Sequence, residues 1–312
     1  MRADRVLGTL LGVHAGDALG ATVEFLPWQE VRRRYPDGVR DVVGGGPFAW
    51  PAGHATDDTD LTRAVLLAYL EPGDDVVTTT ADRMLDWYEG RWPGRQPGSR
   101  PVDVGGATAR GLDRYRSGRD ARGSGAGAGA AGNGSLMRCS PTALAVHDRA
   151  RRLRDAVELS AVTHDDPRCT VACAAYVEIV AALLDGRPPA DAVRAGQAAA
   201  TELDGEPVMD ALAAGAELDL ATAVRTGETG LPDAGGGYVL DSLALAVSAV
   251  LDPRPLEDVL VDVVRLGADS DTNGAIAGGL LGARDGATAI PARWVERLQF
   301  AAEFTTAAAR LS

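Results

Sequence analysis

The sequence predicts an all-α protein built as one domain over residues 1–312. Apolar residues recur at three- and four-residue intervals along nearly the whole chain, and alternating strand-like runs are almost absent. Several segments are Ala-rich and apolar nearly all round, as helices in the middle of a large bundle must be. The first helical segment, residues 5–19, carries an apolar run that Gly8, Thr9 and Gly12 interrupt and Asp17 follows. That run is too short to cross a bilayer and lacks the layout of a signal peptide. Further segments are predicted at 59–70, where an acidic cluster opens the helix, and at 79–90. The next, 105–116, follows Asp103, and another covers 151–162. Pro167 opens the segment at 168–184, and one more spans 190–202. The remainder are 238–251, 256–266, 272–282, which is rich in small residues, and 293–310. Segments 171–184 and 243–251 are the most apolar and are expected at the centre.

Loops are marked by Gly44-Gly45-Gly46-Pro47, by residues 92–101, and by the Gly/Ala run at 123–129, which its low complexity predicts to be mobile. No shift in composition divides the chain. The two acidic clusters described below lie at opposite ends of everything between them, so their meeting would close the chain into one domain.

Composition narrows the function. Of 312 residues, 46% are hydrophobic and 5% aromatic, and 31 basic residues, all arginine, face 44 acidic ones for a net charge of −13. An acidic chain without a basic run is a poor binder of nucleic acid or anionic membrane. The three cysteines, Cys139, Cys169 and Cys173, form neither a C-x-x-C pair nor an even set, so neither a disulfide framework nor a zinc site is indicated. A reducing cytoplasm is the expected compartment. The lack of coiled-coil and sheet-edge signals suits a monomer.

The chemistry lies in two clusters that begin helices, Thr56-Asp57-Asp58-Thr59-Asp60 and Asp269-Ser270-Asp271-Thr272-Asn273. One acidic helix start is ordinary capping. A cap needs one side chain, however, and the first cluster holds three carboxylates in four residues. Two such starts with the same acid and hydroxyl chemistry point to shared cations. Hard oxygen donors without Cys or His favour Mg²⁺ or Mn²⁺ over zinc, and an EF-hand is excluded because its glycine and terminal glutamate are misplaced.

A third feature is Gly16-Asp17-Ala18-Leu19-Gly20, whose glycines read as a helix C-cap. It is followed by Glu24, whose neighbours Val23 and Phe25 could raise its pKa and suit it to proton transfer. A fourth is Gly132-Asn133-Gly134-Ser135-Leu136-Met137-Arg138, where exposed backbone N–H groups, a hydroxyl and an arginine fork suit a phosphate. It matches neither the Walker loop nor G-x-G-x-x-G. The chain has two asparagines, Asn133 and Asn273, and both fall inside these motifs. His164 in Thr163-His164-Asp165-Asp166-Pro167, Asp103 in Val102-Asp103-Val104-Gly105-Gly106, and Tyr238 after Gly235-Gly236-Gly237 are weaker candidates. Each has an ordinary alternative as a cap or packing residue.

In this order the motifs resemble the ADP-ribosylglycohydrolase family, which includes the dinitrogenase reductase-activating glycohydrolases. The resemblance runs from Gly16-Asp17 to Gly278-Gly279, with the T-D-D-T and D-x-D-T pair its most specific part. It implies a compact orthogonal helical bundle with a dinuclear metal cleft holding two Mg²⁺ or Mn²⁺. It further implies metal ligation by Thr56, Asp57, Asp58, Asp269, Asp271 and Thr272. Substrate would be bound by Gly132, Asn133, Gly134, Ser135, Met137, Arg138, His164 and Tyr238, and catalysis would rest on Asp103, Glu24 and Asp58. One departure is Gly106, which stands where the family commonly has asparagine.

The implied activity is release of ADP-ribose from an ADP-ribosylated protein side chain, arginine above all, by attack at the anomeric carbon. Serine-linked ADP-ribose, O-acetyl-ADP-ribose or another small conjugate would be alternative substrates. A non-catalytic ADP-ribose binder on the same scaffold and a pyrophosphate-cleaving phosphohydrolase are competing functions.

Overall fold

The computed structural model describes residues 1–233 and 236–311; Gly235, in the run before Tyr238, lies outside them. Among the described residues every regular element is helical. In order these are α1 Arg2–Gly20, α2 Trp28–Arg34, α3 Asp57–Leu70, α4 Val76–Tyr88, α5 Gly106–Gly118, α6 Pro141–Ala145, α7 Arg149–Ala161 and α8 Pro167–Leu184. There follow α9 Pro189–Glu202, α10 Glu206–Glu217, α11 Leu220–Thr226, α12 Val239–Leu251, α13 Leu256–Arg265 and α14 Ser270–Asp285. A 3₁₀ turn at Ala287–Ala289 leads to α15 Ala292–Val295 and α16 Ala301–Leu311.

The sequence pattern did not reveal α2, α6, α10 or α11. The segment expected as one helix at 293–310 is two. The chain breaks there because Gln299 N donates to Gly53 O at 3.0 Å, which docks the break on the loop ahead of α3. The Gly/Ala run expected to be mobile is tied down. Ser124 Oγ donates to Val162 O (2.8 Å), Ala126 N to Thr163 O (3.0 Å), Gly127 N to the Asp165 carboxylate (2.6 Å) and Gly129 N to that of Asp166 (2.7 Å).

Helices α8 and α12 run through the core, with nearly every side chain buried. Helix α8 is long and apolar enough to cross a membrane, but the protein itself covers most of it.

What positions the site is the seam between α1 and α14. Gly8, Gly12, Gly16 and Gly20 fall every fourth residue on one stripe of α1, opposite Gly282, Gly278, Gly274 and Ser270 of an antiparallel α14. A Cβ added at any of the four would overlap the α14 backbone, so the two helices meet main chain to main chain. The C-cap expectation for Gly16 and Gly20 is therefore corrected. Helix α1 runs through both, and its cap is Ala21 in ordinary right-handed geometry. The seam sets the C-terminal end of α1 against the acidic start of α14. Immediately beyond it, two non-glycine residues adopt left-handed φ, Phe25 at 61° and Ala268 at 54°. They are locked by reciprocal bonds, Phe25 N to Ala268 O at 2.7 Å and Ala268 N to Leu26 O at 2.8 Å. Such strain persists where the surroundings over-determine it, often at functional sites.

Candidate active site

The first acidic cluster starts α3, and its organiser comes from α1. Asp17 is fully buried, and its Oδ2 accepts from Thr56 N (3.1 Å), Thr59 N (3.2 Å) and the Thr59 hydroxyl. Asp17 thus serves the free N–H groups of the α3 start, leaving Asp57 and Asp58 without that duty. The sequence reading placed Asp17 in the Gly16–Gly20 feature without giving it a role; the available signal was an acid deep inside an apolar run of α1.

Thr56 is the N-cap, accepting from Asp58 N at 3.3 Å and donating to Asp58 Oδ2 at 3.2 Å. Asp60, counted in the surplus that suggested a cation, belongs to a different network. It accepts from Trp87 Nε1 (3.2 Å), Trp92 Nε1 (2.9 Å), Arg63 Nη1 (3.1 Å) and two nitrogens of Arg95 (3.0 and 2.8 Å). At 100° per residue, positions two apart lie nearly opposite on a helix, so Asp60 faces away from Asp58.

The second cluster meets the first directly. Thr272 Oγ1 donates to Asp58 Oδ2 at 3.4 Å across the gap between α14 and α3. Asp269 precedes α14 and accepts from Asn133 Nδ2 at 2.6 Å, which ties the glycine loop to the acidic start. Oxygens of Glu24, Asp103 and Asp271 lie within 4.8 Å of one another.

The cleft around these groups has a volume of about 530 Å³. Glu24, Asp57, Asp103, Asp269, Asp271 and Thr272 line it, and Asp58 is buried behind them. Burial shifts the cleft carboxyls upward, with repulsion adding at most of them: Glu24 to about 8, with Asp103 and Asp269 adding to the effect, and Asp103 to about 6, with Asp269 adding, while at Asp269 the bond from Asn133 opposes the rise. Asp57, Asp58 and Asp271 stand well above the ordinary carboxylate range, burial leading in each case. Burial also lifts Asp17 to about 7 against the hydrogen bonds it receives. Asp58 Oδ1 and Glu24 Oε2 are buried with no partner in the protein. So many uncompensated buried carboxylates are costly. The donor set, carboxylates with threonine hydroxyls, fits one or more hard divalent cations.

The opposite wall comes from the glycine loop and α5. Gly132, Asn133, Gly134, Met137, Thr108 and His164 line the cleft. Burial, then Arg138 and Arg110, pushes His164 down to about 3, so the ring is neutral at ordinary pH. Arg138 Nη2 donates to Thr163 Oγ1 at 2.8 Å, and that hydroxyl lies 2.7 Å from His164 Nδ1. The Thr163 hydroxyl orients the ring through Nδ1 and turns Nε2 toward Gly132 and Gly134.

Three expected substrate contacts are not at the cleft surface. Arg138 is 1% exposed, and its guanidinium is held by Gly134 O (2.7 Å) and Thr163, so it buttresses the loop from behind. Ser135 is buried, accepting from Ser160 Oγ at 2.9 Å. Tyr238 contributes backbone: Gly132 and Tyr238 form a bridge, with Asn133 N donating to Gly237 O and Val239 N to Ala131 O. Its ring lines a separate cavity, 3.5 Å from Arg168 Nη1 at the hydroxyl.

A sequence model of the family described as ADP-ribosylglycohydrolase matches residues 1–312. The chain belongs to the ADP-ribosylglycohydrolase family. Relatives include an ADP-ribosyl-[dinitrogen reductase] glycohydrolase from Rhodospirillum rubrum, 31% identical over 302 residues that cover 96% of this chain and 92% of the relative. An ADP-ribosylarginine hydrolase Tri1 from Pseudomonas putida (strain GB-1) is 31% identical over 297 residues, 95% of this chain and 74% of its own. Among solved structures, one titled "ADP-ribosylglycohydrolase-related protein complex" superposes with a TM-score of 0.79 at 34% identity, covering 99% of this chain and 97% of that one. Membership makes this chain an enzyme of a glycosidic-bond-hydrolysing family.

Proposed function

We propose that this chain is a metal-dependent hydrolase that releases intact ADP-ribose from arginine side chains of modified proteins. The observation that carries this is the convergence of two distant acidic helix starts, by way of the α1–α14 seam, on one cleft walled by a glycine loop and a neutral histidine. The names of the relatives from R. rubrum and P. putida support the substrate class.

The residues that would hold the cations are Thr56, Asp57, Asp58, Asp269, Asp271 and Thr272, with Glu24 and Asp103 close enough to share in the site. When bound, Mg²⁺ or Mn²⁺ would neutralise the buried carboxylates and acidify water in the cleft. The chain's own groups do the rest. Backbone N–H groups of Gly132 and Gly134 offer donors to the pyrophosphate and ribose, and His164 Nε2 faces the same space. Cleavage at the anomeric carbon builds positive charge on the ribose, which the surrounding carboxylates stabilise. Oxygens of Asp103 and Glu24 lie within 4.8 Å of each other, placed so that this pair can accept the proton of the attacking water and return one to the departing nitrogen. Arg138 and Ser135 act by holding the loop. The enzyme would work as a monomer in a reducing cytoplasm, in keeping with three buried free cysteines.

The test is mass spectrometry of what metal-stripped protein, resupplied with Mg²⁺ or Mn²⁺, releases from an arginine-ADP-ribosylated protein. Intact ADP-ribose, metal-dependent and lost in Asp271→Ala, is expected. AMP as product would move the reaction to the pyrophosphate. Tight ADP-ribose binding with no release from arginine-, serine- or acetyl-linked substrates would make the chain a binder.

A further inference from the structure

The exposed apolar side chains of this protein gather at the mouth of the cleft. Apart from the terminal Met1, the large apolar residues most exposed among those described are Val102 (66%), Phe25 (62%) and Val43 (54%). Phe25 follows Glu24 and lines the cleft. Val102 precedes Asp103 and lines a smaller adjoining cavity, which shares Asp57 and Asp103 with the cleft. Val43 leads into a glycine-rich loop with Pro47, Phe48 and Ala49 at its tip. A reciprocal backbone pair closes that loop, Gly45 N to Trp50 O and Trp50 N to Gly45 O, both at 2.8 Å.

The loop connects the other two exposed residues. The Phe48 ring lies edge-on to that of Phe25 at 6.3 Å and 5.5 Å from that of Trp50, which walls the smaller cavity together with Val102. Phe25, Phe48, Trp50 and Val102 thus form a continuous apolar path from the Glu24 side of the cleft to the Asp103 side. Phe25 holds its place at a cost. Its backbone is left-handed at φ 61°, where glycine or asparagine would sit more easily, and its ring stands outside the core. Contiguous apolar surface of this kind marks a place where another molecule lies.

We infer that this path is a docking collar for the polypeptide that carries the scissile bond, and that it selects substrates with apolar residues beside the modified one. The inference rests on the hydrolase reading above. A substrate whose ADP-ribose enters the cleft must bring the chain that bears it to the mouth, and there it meets Phe25, Phe48 and Val102. These side chains offer no hydrogen-bonding group to a polar neighbour, whereas an aliphatic or aromatic one would cover them and be covered in turn. A small conjugate with the same bond has no flanking residues and leaves the collar bare. The collar therefore separates modified proteins from small conjugates of equal chemistry.

Phe48 lines neither cavity, and the backbone pair holds its loop whatever its side chain, so it is the residue to change. The experiment measures hydrolysis by Mg²⁺-loaded protein of three substrates. Two are synthetic peptides with a single ADP-ribosylated arginine, flanked on both sides by leucine in one and by serine in the other. The third is ADP-ribosylagmatine, which has no flanks. Wild type is expected to show a KM about five- to tenfold lower for the leucine peptide at equal kcat, as partial burial of two leucines would give. Phe48→Ser should lose most of that preference and Phe48→Leu should keep it, with ADP-ribosylagmatine turnover unchanged in both. Equal KM for the two peptides in wild type, or a preference that survives Phe48→Ser, would overturn the collar. So would a loss in Phe48→Ser that ADP-ribosylagmatine shares, which would make Phe48 structural. The two readings fail separately. If wild type cleaves none of the three, the hydrolase falls, and calorimetric binding of the same peptides decides the collar by the same Phe48-dependent preference. Cleavage of all three without preference for leucine keeps the hydrolase and removes the collar.

Discussion

The two acidic helix starts look alike in sequence and are held in different ways. At α3, Thr56 takes Asp58 N while Asp17 of α1 takes Thr56 N and Thr59 N from outside, so Asp57 and Asp58 are left without capping work. At α14, Asp269 makes no side-chain cap bond to its own helix and is held by Asn133 of the glycine loop. Both starts meet α1 at the seam, and the second is held by the loop as well. Carboxylates that serve the fold, Asp17 and Asp60, are thereby separated from those proposed for chemistry, Asp58 and Asp271. That separation makes mutational effects divide into two kinds.

The largest effect is expected at Asp60. Asp60→Ala leaves the buried Arg63 with Glu303 alone as a carboxylate partner, removes the carboxylate that holds Arg95, and takes the acceptor from two indoles. Removing one side of a buried ion pair costs about 3–5 kcal/mol, measurable by denaturant unfolding. Next is the seam: Gly12→Val forces α1 off the Gly278 carbonyl and should destabilise by about 1–3 kcal/mol through overpacking. Substrate turnover should fall with it, because the α1 end carries Asp17.

Asp58→Asn sharpens the contrast. Hydrolysis should drop more than about 100-fold, since even residues behind a metal ligand cost 10–100-fold. Melting of the metal-free protein should stay level or rise, because folding no longer has to discharge a carboxyl that burial and its acidic neighbours keep protonated. A lowered melting temperature would place Asp58 with Asp17 and Asp60 instead.

The acid site also sets a pH dependence. Asp17 and Glu24 titrate near 7 and 8 in the folded protein, each raised chiefly by burial. Folding therefore holds these protons more tightly than the unfolded chain does. That stabilisation is complete below about pH 4, where unfolded carboxyls titrate, and is lost as pH rises through 7 to 8. Thermal scans of metal-free protein should show the melting temperature falling from about pH 5 to about pH 8.5. Added Mg²⁺ should restore most at the alkaline end. The smallest effect is expected at the loop: a Cβ at Gly134 would sit 3.0 Å from His164 Cε1, so Gly134→Ala should raise KM several-fold with kcat nearly unchanged.

Much of this was legible in the sequence, and the exceptions share a cause. Helix identity showed because apolar periodicity is a local property. The acidic starts showed because three carboxylates in four residues exceed what capping needs. Whether a given acid faces the cleft was not local. Asp58 and Asp60 differ by two positions and point to opposite sides of α3, and nothing nearby marks which side is the site. Gly16 and Gly20 read as a cap because the backbone they touch lies some 250 residues away in sequence. Arg138 read as a phosphate fork because the motif gives its position and not its direction, and its partners Gly134 O and Thr163 lie behind the loop. Trp28–Arg34 and Pro141–Ala145 were missed because helices of seven and five residues hardly complete a period.

The most direct test of the central claim, that both acidic starts form one divalent-cation site, is a calorimetric titration of Mn²⁺ into metal-stripped wild type, Asp58→Asn and Asp271→Asn. Wild type is expected to bind two ions, and either substitution should weaken binding by at least about 10- to 100-fold although the two residues sit on different helices. Tight binding that survives Asp271→Asn, or no binding by wild type, would contradict it.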